Sequence, residues 1–161
     1  MPIFDFLFKK KPVTFVKFQD TFGNFEIRYP KTWKFDHDIA VVDGQYTNSF
    51  YSNDSNFIIA INANIPSNFN FQKYAKNELE SPTSGIYSKA IKSKFRGLPA
   101  FTREYGYRSQ GTDYFGGGIM FFTGKLVFSI SWSAPKSKKE DMDKIFGHML
   151  KSLVTIRGVG S

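Results

Sequence analysis

The sequence predicts an α+β fold in which helices cover both faces of an antiparallel β-sheet. Most of the chain divides into short stretches of alternating apolar and polar residues, joined by brief turns rich in Gly, Asn and Asp. Strands joined by such short turns are antiparallel neighbours. Two further segments, residues 71–79 and 137–153, carry apolar residues at helical spacing. An apolar hairpin at residues 114–133 precedes the second segment, and neither can bury its apolar surface alone.

The first half of the chain contains five predicted strands, at residues 13–18, 25–29, 39–42, 45–51 and 56–65. Pro30 ends the second strand because it has no N–H to donate to a ladder, and the turn after it places Trp33 against the core. The fifth strand has apolar residues on both faces, with Phe57 and Ile59 on one face and Ile58 on the other. We therefore expect a central strand that is covered on both sides.

The second half of the chain begins with the shorter predicted helix, residues 71–79. Asn70 or Asn68 is its N-cap, and Ser81 and Pro82 end it. The remaining elements are, in order, a strand at 86–95, a turn at 97–99, a strand at 100–108, a loop at 109–112 and a hairpin at 114–133 that turns at 123–125.

The last predicted helix has the clearest signals in the chain. Ser137 and Glu140 match the capping box Ser-x-x-Glu, which places the start of the helix at Ser137. Its apolar residues form one stripe: Met142, Ile145, Phe146, Met149, Leu150 and Leu153. The chain therefore divides into an apolar and basic N-terminal segment at 1–12, a single domain at 13–156 and a flexible tail at 157–161.

The charge of the chain is unevenly distributed. The formal charge is +8, yet residues 1–80 carry nine basic and nine acidic residues, whereas residues 81–161 carry 13 basic and five acidic ones. This asymmetry indicates an acidic partner, an anionic membrane or nucleic acid, and an ordinary lysine-rich surface is the alternative. Because the chain has no cysteine, disulfides, thiol catalysis and cysteine-ligated metals are excluded.

The N-terminal residues bear on the location of the protein. Residues 3–8 form a short apolar run that precedes three lysines, whereas a secretory signal has its positive charge first and a longer apolar stretch. No stretch approaches the ~20 apolar residues of a transmembrane helix. We therefore expect a cytoplasmic protein. Residues 1–11 either rest on a membrane periphery or an acidic surface, or form a frayed terminus.

The residue types that perform catalysis or bind metals form no recognisable motif. Asp36, His37 and Asp38 are adjacent, but neighbours in an extended segment point to opposite faces, so we interpret them as a solvated turn. His148 lies off the apolar stripe of the last helix and is predicted to be exposed. The glycines at 116–118 match no phosphate-binding pattern and indicate a bulge or a close approach of a helix or partner backbone. We predict no catalytic residue, no metal and no cofactor.

A row of basic side chains is the candidate partner-binding surface. Lys92, Lys94 and Arg96 alternate along the predicted strand at residues 86–95, so they share its exposed face if the aromatic residues face the core. The next strand adds Arg103 or Arg108 to this row, depending on the register of the two strands. Basic residues among aromatics also describe proteins that bind single-stranded nucleic acid. Lysines on an edge strand also protect it against aggregation, which is the alternative without a ligand.

Three short motifs of the chain resemble those of one known family. They are Phe25, Ile27, Tyr29, Pro30 and Trp33 around the opening hairpin, Leu98-Pro99-Ala100 between two strands in mid-chain, and Ala134-Pro135 between the closing strand at 127–133 and the capped helix. Over residues 13–156, the chain resembles PsbP-like domains, whose fold is shared with the Ran-binding protein Mog and with DcrB-like proteins.

This resemblance implies an antiparallel sheet between helices and mostly non-enzymatic work, such as assembling or stabilising protein complexes or binding a GTPase. PsbP-type members are exported and DcrB-like proteins are lipoproteins, whereas this chain has no predicted signal peptide and no cysteine to lipidate. We therefore expect a non-catalytic interaction domain that binds a protein partner and assists or stabilises a complex. The alternative is a binder of single-stranded nucleic acid or of an anionic surface that uses the basic second half.

Overall fold

The computed structural model describes residues 10–38, 44–80, 86–87 and 89–156, which form two antiparallel sheets and two α-helices. The strands are β1 (Phe15–Gln19), β2 (Phe25–Pro30), β3 (Lys34–Asp38), β4 (Gln45–Tyr51), β5 (Asn56–Asn62), β6 (Ile86–Tyr87), β7 (Ile91–Phe95), β8 (Leu98–Ser109), β9 (Thr112–Phe122), β10 (Val127–Pro135) and β11 (Val154–Thr155). The helices are α1 (Phe71–Glu80) and α2 (Lys139–Ser152). The predicted strand at 39–42, the predicted tail at 157–161 and residues 1–9 of the predicted N-terminal segment at 1–12 lie outside the described residues.

The larger sheet has eight strands in the order β3-β4-β5-β10-β9-β8, with β6 and β7 both paired to the outer edge of β8. The hairpin of β9 and β10 lies at its centre, because β10 pairs with β5 on one side and with β9 on the other. Strand β5 is central, as its two apolar faces indicate, and Ile58 on its second face is half-buried.

The main hydrophobic core lies between this large sheet and a second layer made of α2 and a small sheet. The small sheet has the order β1-β2-β11. Phe25 comes from the small sheet, Phe128 from the large sheet and Phe146 from α2, and all three are buried. The Trp33 ring packs edge-on against Phe146 at 6.3 Å, as the sequence predicts for a tryptophan tucked against the core.

Helix α1 covers part of the opposite face of the large sheet. Its buried residues Ala75 and Leu79 pack against Phe101, Met120 and Val127, which alternate along their strands with residues of the main core. The predicted N-cap is confirmed, because Asn70 Oδ1 accepts a hydrogen bond from the Lys73 N–H at 3.0 Å. With helices on both faces of an antiparallel sheet, the predicted α+β sandwich is confirmed.

Two hairpins of the large sheet turn through two residues with positive φ. Gln110 and Gly111 have φ of 48° and 78°, and Arg96 and Gly97 have φ of 49° and 81°. Positive φ at both central positions matches the twist of the paired strands. The turn predicted at residues 97–99 is therefore shifted, and β8 already begins at Leu98. The predicted strand at 86–95 is divided into β6 and β7.

The glycine run lies in the middle of β9 without a bulge, since β9 pairs continuously with β8 and β10. A Cβ on Gly116 would lie 2.3 Å from the Trp132 carbonyl oxygen and 2.5 Å from the Tyr105 ring. A Cβ on Gly117 would lie 2.4 Å from the Trp132 ring. The predicted bulge is wrong, and the close approach that the sequence indicated is made chiefly by aromatic rings on neighbouring strands.

The start of α2 differs from the prediction. A 3-10 turn at Lys136–Lys138 follows β10 directly, so the α-helix begins at Lys139 and Ser137 lies inside the turn. Lys138 occupies the N-cap position without a side-chain cap, and the predicted capping box of Ser137 and Glu140 is wrong. The apolar stripe is confirmed, because Met142, Phe146 and Met149 are buried in the main core.

Candidate functional site

The predicted basic row is not continuous on the folded protein. Lys92 and Lys94 are exposed on β7 and lie on one face of that strand. Phe95 lies on the other face, where its ring stacks on Phe121 of the main core at 4.7 Å. Arg96 follows in the turn, and its guanidinium donates a hydrogen bond to the carbonyl of Lys151 in the last turn of α2. The expectation that Arg96 shares the face of the two lysines is therefore wrong.

The other two predicted arginines bind within the domain. Arg103 Nη1 donates to the Leu79 carbonyl at the end of α1, and its guanidinium lies 5.9 Å from the Tyr105 ring centre. A cation there complements the negative end of the helix dipole. Arg108 Nη1 lies 3.1 Å from Asp113 Oδ1 across the β8–β9 hairpin, where both side chains are exposed. Arg96, Arg103 and Arg108 are thus each engaged by a group of this chain, whereas a groove for a strand of nucleic acid needs cations that face the ligand.

The edge strand β7 carries the part of the predicted basic row that shares one exposed face as expected, Lys92 and Lys94. Its neighbouring residues Ile91 and Lys92 are both exposed, and the isoleucine is 62% exposed, more than any other large apolar side chain of the described residues. Within the described part of the chain, β7 pairs only with β8, so its outer backbone edge has no strand partner. An unpaired edge of this kind can accept another extended segment.

The predicted turn at Asp36, His37 and Asp38 is instead strand β3. It pairs with β4, and the half-buried His37 forms a hydrogen bond of 2.6 Å from Nδ1 to Asn48 Oδ1. Asp36 faces the other side of the sheet, where the Tyr51 hydroxyl donates to its Oδ2 at 2.9 Å. No group of three or more His, Asp or Glu side chains among the described residues could hold a metal ion. His148 is exposed as predicted, and its ring stacks on Phe15 at 3.8 Å.

A buried polar cluster joins the β1–β2 turn to β4. The Tyr46 hydroxyl donates to Asp20 Oδ2 at 2.6 Å and accepts a hydrogen bond from Asn24 Nδ2 at 2.7 Å. Burial, helped by the hydrogen bond to Asp20, raises the pKa of Tyr46 well above its usual value. The phenol therefore stays protonated and serves as a hydrogen-bond donor that fixes the turn to the sheet.

A groove on the sheet face beside α1 is a further candidate site, which the sequence did not predict. It encloses about 440 Å³ on the half of the face that α1 leaves open. Its lining combines hydroxyl, amide and carboxylate groups with three tyrosine rings, and consists of Asp36, Ser49, Tyr51, Ser52, Asn53, Asp54, Ser55, Asn56, Ile58, Tyr107, Ser109 and Tyr114. One feature of the sequence could have indicated this groove: polar and aromatic side chains alternate with core residues along β4 and β8.

The two carboxylates of this groove differ in their surroundings. Asp54 forms a salt bridge with Lys138 and accepts hydrogen bonds from the hydroxyls of Ser55 and Ser52. The hydrogen bond from Lys138 is the main cause that lowers the pKa of Asp54. Asp36 accepts the Tyr51 hydroxyl, and this hydrogen bond raises the pKa of Tyr51. Across the described residues, no Lys or Arg nitrogen forms a salt bridge with Asp36.

Solved structures share the fold of this chain along almost its whole length. The cyanobacterial PsbP protein CyanoP from Synechocystis matches with a TM-score of 0.61 and 16% identity, covering 90% of this chain and 94% of that one. LpqN of Mycobacterium tuberculosis, involved in cell envelope biogenesis, matches with a TM-score of 0.61 and 9% identity over 91% and 92% of the two chains. The Ran-binding protein Mog1p of Saccharomyces cerevisiae matches with a TM-score of 0.53 and 10% identity over 90% and 97%.

These matches show that the chain has the PsbP/Mog1-like fold that its short motifs indicated. No protein-family model matches the sequence, and no curated protein matches it. The likeness to solved structures therefore defines the fold of the chain, and its function has to be argued from its own surfaces. None of the described helices is both long enough and apolar enough to cross a bilayer.

Proposed function

We propose that this chain is a non-catalytic protein-binding domain that engages its partner through the edge strand β7. The observation that carries the proposal is Ile91, which is 62% exposed on an edge strand and is followed by Lys92 and Lys94. An apolar side chain in this position loses contact with water when a partner covers it. The fold supports the proposal, because two proteins that share it are a PsbP and a Ran-binding protein.

The chemistry of the strand defines the kind of partner. The two lysines point to one face of β7, so a partner segment with acidic side chains on that face would gain two ion pairs. The outer N–H and C=O groups of the strand can pair with an extended backbone, which gives affinity independent of sequence. By holding this acidic, extended segment of the partner in place, the chain assists or stabilises a complex.

Affinity capture with a charge-reversed variant tests this proposal. The wild-type chain should retain a defined partner from an extract of its own cells, and Lys92→Glu with Lys94→Glu should lower the recovery at least about tenfold because attraction becomes repulsion. The matched control is Lys136→Glu with Lys144→Glu, which changes the net charge equally at exposed positions at and near α2. Equal recovery by the wild-type chain and the β7 variant would overturn the assignment of the surface.

The cytoplasmic location and the contact of residues 1–11 with a membrane periphery or an acidic surface are part of the same proposal. Cell fractionation of the full chain and of a chain that begins at Pro12 tests both. We expect the full chain in the cytoplasmic fraction, with a portion that sediments with membranes and is lost when residues 1–11 are removed. Comparisons with known proteins lend no support to the nucleic-acid alternative. Binding of single-stranded oligonucleotides at low salt would revive that alternative.

A further inference from the structure

The groove beside α1 has the chemistry of a site for a cationic side chain. Its lining residues come from β3, β4, β5, β8, β9 and the loop between β4 and β5, on the end of this sheet face that α1 does not cover. Strands β4 and β9 are separated by two strands, so its walls are about 14 Å apart. A cavity of about 440 Å³ between such walls accommodates a long side chain together with the backbone that carries it.

The walls of the groove carry aromatic rings. Tyr51 lies on the β4 side, and Tyr107 and Tyr114 lie on the opposite side. The latter two rings are stacked, with their centres 5.0 Å apart and an angle of 4° between their planes. The Tyr107 hydroxyl is fixed by a hydrogen bond of 3.2 Å to Ser133. Fixed tyrosine rings attract a planar cation at low entropic cost.

The charge in the groove is negative at one defined place. Lys138 neutralises Asp54, whereas Asp36 has only the Tyr51 hydroxyl as a partner among the described residues. A carboxylate with one of its oxygens engaged by a hydroxyl can still accept further hydrogen bonds from a cation. The local charge is thus opposite to the formal charge of +8 of the chain, so the groove and the β7 edge suit different parts of a partner.

We propose that this groove binds an arginine side chain presented by the protein partner, with its guanidinium on Asp36 and the Tyr51 ring, while the segment that carries it faces Tyr107 and Tyr114 across the groove. Arginine fits better than lysine, because its planar group forms two parallel hydrogen bonds with a carboxylate and stacks on aromatic faces. The serine and asparagine oxygens around the groove can accept its remaining N–H groups. This inference rests on the proposed protein-binding function and adds a second contact with the same partner.

Nuclear magnetic resonance titration with two small probes tests the site directly. N-acetyl-L-arginine amide should cause saturable shifts at the backbone amides of Asp36, Tyr51 and Tyr114. N-acetyl-L-citrulline amide has nearly the same shape without the charge, and it should bind at least about tenfold more weakly. The Asp36→Asn variant should weaken arginine binding to the same extent, and Asp143→Asn, an exposed aspartate on α2, should leave it unchanged. N-acetyl-L-lysine amide should bind more weakly than the arginine probe.

Three results would overturn the inference: no saturable shift with arginine, equal binding of arginine and citrulline, or unchanged binding by Asp36→Asn. If the lysine probe binds as tightly as the arginine probe, the groove has no preference for a guanidinium, and the assignment of arginine as its ligand is overturned. These failures are separable from a failure of the proposed function. If capture by the β7 edge succeeds while the arginine probe does not bind, only the groove assignment fails. If the probe binds while no partner is captured, the protein-binding function fails.

Discussion

At the scale of single residues, Gly116 and Gly117 show that the lack of a side chain can be a packing requirement. Aromatic groups from the two neighbouring strands occupy the volume that a side chain on β9 would fill. The sequence indicated a close approach at residues 116–118. It could not indicate that Tyr105 and Trp132 supply the rings, because that depends on the register of β9 with β8 and β10.

We expect Gly116→Ala to lower the free energy of unfolding by about 1–3 kcal/mol, the usual cost of overpacking a filled site. The new methyl group would meet a backbone oxygen at 2.3 Å, and a backbone moves less readily than a side chain. The matched control is Gly147→Ala in α2, where a Cβ meets nothing within 4 Å and should stabilise by roughly 0.5–1 kcal/mol. Urea unfolding measures both, and equal effects of the two changes would contradict the packing argument.

At the scale of elements, the two helices show when a capping motif can be read from sequence. Asn70 caps α1 as predicted, because a loop leads into that helix and leaves its first N–H groups to a local side chain. Helix α2 continues a strand through a 3-10 turn, so tertiary structure sets its start and Ser137 does not cap it. Strand β3 was missed for a related reason, since its pairing with β4 outweighs its polar composition.

Alanine substitutions at the two predicted caps should therefore differ in effect. Asn70→Ala removes the acceptor for the Lys73 N–H and should destabilise the protein by about 0.5–2 kcal/mol. Ser137→Ala removes no capping hydrogen bond and should change the stability by less than about 0.5 kcal/mol. Chemical denaturation of the two variants measures the difference. A larger loss for Ser137→Ala than for Asn70→Ala would mean that α2 is capped by its serine in solution.

At the scale of the whole molecule, the long-range contacts of charged side chains are the feature that the sequence predicts least well. Arg96 and Arg103 lie in or beside predicted strands like ordinary exposed cations, yet each side chain reaches the end of a helix that packs on the sheet. The fold class followed from local periodicity and short turns, which the sequence displays. The position of the candidate groove and the contacts of Arg96 and Arg103 depend on how α1 and α2 pack on the sheet, and no local sequence pattern encodes that packing.

The salt bridge of Asp54 and Lys138 joins the β4–β5 loop to the turn before α2, so its titration reports on the assembled molecule. Because folding lowers the pKa of Asp54, its stabilising effect is present above the ordinary value of 3.8 and is lost as the pH falls through the lowered value. Asp54→Asn should therefore be less stable than the wild type near neutral pH, by less than about 1 kcal/mol.

Urea unfolding of the wild type and of Asp54→Asn as a function of pH measures this difference, which should shrink towards zero below pH 3.8. Asp113→Asn, which alters the exposed pair with Arg108 at the β8–β9 hairpin, is the control for a general loss of negative charge. A difference between Asp54→Asn and the wild type that does not change with pH would show that the aspartate acts through shape or hydrogen bonding alone.

The small sheet also determines when, during synthesis of the chain, the main core can be completed. Strand β11 pairs Val154 and Thr155 with Glu26 and Phe25, and the Ile156 N–H donates to the Asn24 carbonyl. On the ribosome, the β1–β2 hairpin emerges early. Its third strand, β11, is synthesised only after nearly all of the domain, so the small sheet cannot form before then. The layer that closes the main core is thus completed last, so nascent chains expose Phe25 and Ile27 during most of their synthesis.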